Sequence, residues 1–222
     1  MPSFDITFVA KYWQTLLMGL GLTLEFTAIC IISGTLLGLV LALMSRSQHL
    51  AVRTVVRLYV ELIRGVPVLI LLFWIFFCLP VVTGLEIGNF LSAAIALTLF
   101  MGAATCESFR ASLKSIPIEQ YDACTALGLT NRSRTLDVVV PLMVMRAIPN
   151  LLSNTVALFK ESSLASAVGT VELMYIGQNI ANSTARPIEV LTVVGILYFI
   201  VGFILTRLVS IAESRVLSRL AN

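Results

Sequence analysis

The residues of this 222-residue chain that could do chemistry are ionisable side chains set within long apolar runs. Arg146, Asn150, Asn154 and Glu161 fall at i, i+4, i+8 and i+15, one face of a helix if it continues past Pro149. Lys160 is adjacent to Glu161; Glu107 and Arg110 are i, i+3 neighbours; Arg57, Glu61 and Arg64 stand at i, i+4 and i+7. A charge inside a membrane costs about 2.5 to 3.5 kcal/mol on insertion scales, so such residues should face protein or water. The chemistry on offer is recognition of a zwitterion. Lys160 could take a carboxylate and Glu161 an ammonium, Glu107 or Arg110 could bind one end of the same ligand, and Asn154 with Thr155 could line its path. The structural reading of each stands beside it: Asn154 as an interhelical hydrogen bond, Lys160–Glu161 as a snorkelling pair, the other clusters as ion pairs between spans.

Nothing here has the form of a catalytic or metal centre. HExxH is absent, the single histidine, His49, lies in a polar loop, and the serines after Pro149 have no base nearby. Cys30, Cys78, Cys106 and Cys124 show no CxxC spacing and read as small hydrophobic residues.

The elements that must position these residues are membrane helices. The chain is 58% hydrophobic and only 12% charged, about half the charged content of a soluble domain. Five runs reach the roughly 20 residues needed to cross a bilayer as helix. They are Leu16 to Met44 with a peripheral Glu25, Leu58 to Leu79, Ile87 to Ser108, Val138 to Phe159 and Val190 to Leu208. Gly65 and Pro67 predict a helix break in the second, of the kind tolerated where a cavity is lined. Arg46, Arg53, Arg57, Arg110, Lys114, Arg132, Arg134, Arg207, Arg215 and Arg219 collect on one side of the membrane, against Lys11 and Arg186 on the other. That asymmetry predicts an outside N-terminus and a cytoplasmic C-terminus. The opening MPSFDITFVAKYWQ reads as mature protein, not a cleaved signal. The net charge of +3 is dispersed over loops without a Lys/Arg block, which argues against nucleic acid.

One cytoplasmic loop, residues 118–141, is ordered by its own sequence. Ile118 to Leu127 lacks Gly and Pro, Pro117 suits a helix start, and Gly128 a helix stop. Its exposed chemistry is small and mildly apolar, better suited to docking a partner than to anchoring in headgroups. The order Asp122-Ala123-Cys124, Gly128, then Val138-x-Val140-Pro141 resembles the E-A-A, G, I-x-L-P loop of ATP-binding-cassette importer permeases. Arg64-Gly65-Val66-Pro67, Glu107-x-x-Arg110 and Lys160-Glu161-Ser162-Ser163-Leu164 narrow the resemblance to permeases for polar amino acids such as histidine, glutamine and glutamate.

That resemblance implies an all-α polytopic bundle of the type I importer kind, with five transmembrane helices in a single domain over residues 1–222. It implies a coupling helix in which Asp122, Ala123, Cys124, Gly128 and Leu129 meet an ATPase, and alternating-access import of a polar or charged amino acid across a bacterial inner membrane. The implied partners are two cytoplasmic ATPase subunits, a second permease and an extracytoplasmic solute-binding protein. Asp122 and Cys124 depart from the motif's Glu and Ala. No phosphate loop of the form GxxxxGK[ST] is present, so ATP and magnesium are expected on the separate ATPase and no cofactor on this chain. The alternative is an ion- or proton-coupled secondary transporter working without an ATPase.

Overall fold

The computed structural model describes residues 6–221. The opening MPSFD and the side chains of Arg215 and Arg219, which entered the basic-residue count, lie outside the described residues. Every regular element among the described residues is helical. After a 3-10 turn come α1 (Trp13–Met44), α2 (Leu50–Gly65), α3 (Val68–Phe73), α4 (Leu79–Thr83), α5 (Asn89–Lys114), α6 (Ile118–Ala126), α7 (Asn131–Ser133), α8 (Val140–Glu161), α9 (Leu173–Thr184) and α10 (Pro187–Ala221). A π-helical turn, Trp74–Cys78, joins α3 to α4, and another, Arg134–Val139, joins α7 to α8.

Among the described residues, four helical stretches are long and apolar enough to cross a membrane: Thr7–Met44, Asn89–Lys114, Asn131–Val168 and Pro187–Ser214. The expected second span, Leu58 to Leu79, is not one rod. It is a pair, Leu50–Gly65 and Val68–Thr83, bent by 107°. The cause is local: Val66 is extended, as a residue before proline must be, and Pro67 starts the next helix without an N–H to donate back. All the charge of the pair lies on α2, whereas Val68–Thr83 carries none.

The fourth span also differs from its expected bounds. The helical path runs over 38 residues, Asn131–Val168, through the π turn and past Pro149. A proline within a membrane helix is accommodated where neighbouring groups satisfy the carbonyl it frees.

Several helix pairings hold the bundle together. Along α1 and α5, glycines let the backbones meet, the standard device where lipid removes any hydrophobic advantage from burial. A Cβ on Gly38 would strike Thr105 Oγ1 and lie 2.8 Å from both Cys106 N and Gly102 O. Further along, Phe26 and Cys30 of α1 pack with Leu72 and Ile75 and with Ala93 to Leu97 of α5. A separate cluster joins Leu16 of α1, Leu173 and Ile180 of α9, and Val190, Val194 and Leu197 of α10. Outward, Ile32, Leu36 and Val40 of α1 and Phe199 and Phe203 of α10 are exposed apolar side chains.

Candidate functional site

The loop between α5 and α8 is built as a short helix on a braced root. Helix α6 ends in a full Schellman motif: Gly128 N–H donates to Thr125 O and Leu129 N–H to Cys124 O, both at 3.0 Å, with Gly128 at φ +66°. Thr130 then caps α7 by accepting from Ser133 N at 3.2 Å. Of the residues assigned to coupling, Asp122, Ala123, Gly128 and Leu129 are exposed, while Cys124 is buried and turned to the body of the protein. Ile118 and Leu127 add apolar surface beside them, at 65% and 76% exposure.

Two polar bonds tie α8 to α5 at this end. Arg146 Nη1 donates to Ser115 O at 2.9 Å, closing the C-terminus of α5, where a cation is favoured by the free carbonyls. Asn154 Nδ2 donates to Ser108 Oγ at 3.0 Å. Its partner Ser108 stands six residues, about 9 Å of helix rise, from the α5 end that leads into α6. The bond therefore lies on the half of α5 that leads into α6. Thr155 donates to Leu151 O of its own helix.

The six candidate substrate residues do not form one cluster. Glu107 and Arg110 make an ion pair at 2.9 Å, both partly exposed, beside Arg57, Glu61 and Arg64 of α2 around a cavity of about 280 Å³. Lys160 and Glu161 lie elsewhere, on a groove of about 390 Å³ between α8 and α10 that Ser153, Val156, Ala157, Thr206 and Val209 complete. Lys160 passes the backbone at Gly202, and no ion pair among the described residues occupies Lys160 or Glu161. An ammonium and a carboxylate side by side, both unneutralised and open to a groove, can address a zwitterion.

Sequence reasoning missed the most buried polar centre. Glu172 is fully buried and its carboxylate accepts from Met174 N at 2.9 Å, Tyr175 N at 2.7 Å, Tyr198 Oη at 2.5 Å and Thr23 Oγ1 at 3.4 Å. Thr23 Oγ1 in turn accepts from Leu173 N at 2.9 Å. One carboxylate thus caps α9 and joins it to α1 and α10. Burial pushes the Glu172 carboxyl above its usual range, and the bonds from Tyr198, Met174, Tyr175 and Thr23 pull it back in part. An acceptor just ahead of Leu-Met-Tyr-Ile was the available signal, a possible helix cap. Thr23, 149 residues away, gave none.

The chain matches the family described as binding-protein-dependent transport system inner membrane component over residues 34–218. It is 33% identical over 209 residues to an L-cystine transport system permease protein of Bacillus subtilis (strain 168), covering 92% of this chain and 88% of that one. It is 29% identical over 218 residues to a nopaline transport system permease protein of Agrobacterium fabrum (strain C58), covering 94% and 90%. In structure it resembles a chain of an amino acid ABC transporter crystallised with histidines: TM-score 0.90, 28% identity, 96% of this chain and 99% of that one. The inward-facing methionine ABC transporter shares the fold, with a TM-score of 0.68, 23% identity, and 89% and 95% covered. The chain belongs to the family of inner-membrane components of binding-protein-dependent transport systems, a multi-pass helical membrane protein with the fold of type I ABC importer permeases.

Proposed function

We propose that this chain is the permease subunit of an ATP-driven importer of a polar or charged amino acid. The observation that carries the reading is likeness along nearly the whole chain to an amino acid ABC transporter, with a TM-score of 0.90, alongside relatives named for L-cystine and nopaline transport. The residues supply matching parts. Lys160 and Glu161 on the α8–α10 groove engage the substrate's carboxylate and ammonium. The Glu107–Arg110 pair, with Asn154 and Thr155 nearby, serves the path at the α6 end. Gly65 and Pro67 provide the break at α2, and residues 1–222 act as one permease domain with 118–141 as its coupling loop.

In this reading α6 docks through Asp122, Ala123 and Leu129 on a cytoplasmic ATPase, with Cys124 and Gly128 fixing its shape. Two such ATPases bind ATP and magnesium, and a second permease completes the path. An extracytoplasmic binding protein delivers the amino acid. The N-terminus is outside and the C-terminus cytoplasmic, in keeping with basic residues on α2, the end of α5 and the loop after α6. No specific observation favours ion-coupled transport without an ATPase.

The test is co-purification. Tagged wild-type chain, expressed with its neighbouring genes, should bring down an ATPase subunit, and Gly128→Asp should lose it while remaining in the membrane. A folded wild-type chain that captures no ATPase overturns the reading.

A further inference from the structure

Around the junction of α2 with the end of α5 the molecule carries more cationic groups than it can neutralise. Ser45, Leu50, Arg53, Thr54, Val56, Arg57 and Arg110 enclose a cavity of about 380 Å³. Arg110 is held by Glu107, but among the described residues the side chains of Arg53 and Arg57 have neither an ion pair nor a hydrogen bond. Arg46 and Lys114 line an adjoining cavity that again shares Ser45 and Arg110. Two unpaired guanidiniums, two hydroxyls and a third guanidinium converging on one space make a receptor for a phosphate-type anion.

The helix that carries the arginines is divided into three faces. Val56 and Val60 are buried against Cys106 and Phe109 of α5. Arg53, Arg57, Glu61 and Arg64 form a charged stripe along one side, and Val55, Leu58 and Leu62, at 64%, 54% and 58% exposure, form an apolar stripe along the other. Helix α2 is turned 107° from Val68–Thr83. It crosses α5 at Cys106 to Phe109, about 8 to 12 Å of helix rise from the α5 end. An amphipathic helix of this kind suits the boundary of headgroups and acyl chains, where Leu58 and Leu62 would meet acyl chains and the arginines headgroups.

We propose that the Arg53–Arg57 cavity binds the headgroup phosphate of an anionic phospholipid, with the apolar stripe of α2 against its chains. Basic pockets on membrane proteins suit such headgroups, and here the acyl-facing surface is on the same helix as the pocket. The site is distinct from the Lys160–Glu161 groove, and it borders the Glu107–Arg110 cavity, with which it shares Arg57 and Arg110.

The test is lipid retention by the full chain purified with its partners, followed by native mass spectrometry after addition of phosphatidylglycerol, phosphatidylcholine or inorganic phosphate. Wild type should retain phosphatidylglycerol in preference to phosphatidylcholine. Arg53→Gln with Arg57→Gln should weaken retention about thirtyfold, and either change alone about fivefold. Replacing both by Lys should restore most of it, showing that the loss is one of charge and not of folding. Arg64→Gln, on the same stripe but outside this cavity, should leave retention unchanged. Equal retention by the double Gln variant and wild type overturns the proposal, as does an equal loss in Arg64→Gln, which would indicate diffuse attraction. Displacement of the lipid by equimolar inorganic phosphate assigns the pocket to the free anion and overturns the lipid as its occupant.

Discussion

The Glu172 centre and the Glu107–Arg110 cluster are both carboxylates inside a membrane protein, yet they are built in opposite ways. Glu172 is sealed, its oxygens met by two backbone N–H groups and two hydroxyls from three helices. Glu107 is partly open and shares its region with six basic side chains and one other acid, Glu61. A buried polar group with every partner supplied rigidifies; an open group with surplus charge around it is free to meet something else. The same division runs across one turn of α5. Thr105 and Cys106 face Gly38 with no room for a methyl group, and Glu107 and Arg110 face cavities.

The contrast can be broken most forcefully at its sealed end. Glu172→Ala removes the α9 cap and leaves Tyr198 without its acceptor, and should cost about 3 kcal/mol in stability, read as a drop in the detergent-solubilised melting temperature. Glu172→Gln should cost less. The pH dependence has a definite sign. Because the folded state raises the Glu172 pKa, it binds the proton more tightly than the unfolded chain. Its contribution is therefore fully present below the ordinary carboxylate pKa and lost as pH rises through the raised one. Relative to Glu172→Gln, wild type should gain melting temperature on acidification from neutral pH; a gain on alkalinisation would contradict this.

Next in size is the closed side of α5. Gly38→Ala should cost about 2 kcal/mol by overpacking against α5 backbone, whereas Gly21→Ala, with nothing within 4 Å of the added methyl, should cost nothing measurable. Comparable losses at both positions would show that helix context and not the α1–α5 contact is responsible. The smallest stability effect belongs to the open side. Glu107→Gln should change stability by less than about 1 kcal/mol, as expected for a partly solvated ion pair. Transport of the amino acid should nevertheless fall at least tenfold in reconstituted vesicles; unimpaired transport would reduce the pair to a structural one.

The parts of this architecture governed by short-range rules were readable in advance. Span-length apolar runs marked α1, α5, α8 and α10, and a Pro-started, Gly-stopped stretch marked α6 because proline and left-handed glycine act on their immediate neighbours. Gly65-Val66-Pro67 marked a break, but not its 107° angle, which depends on how α2 packs against α5. The level at which Asn154 meets α5 was not legible, because its partner Ser108 lies 46 residues away in the chain. The joining of Thr23 to Glu172 was invisible, since hydrogen-bonding capacity in a sequence carries no address for its partner. Lys160 and Glu161 were legible as unusual charges; that α10 would supply the opposite wall of their groove was not.

The pair of bonds Arg146–Ser115 and Asn154–Ser108 has a mechanical corollary. Along α5 the two attachment points are seven residues apart, about 10 Å of rise. A rod pinned at one point can swivel, and a rod pinned at two can only travel with its neighbour. Torque delivered through the α6 loop, whose two ends are the ends of this pinned pair, would turn α5 and α8 as a single crank.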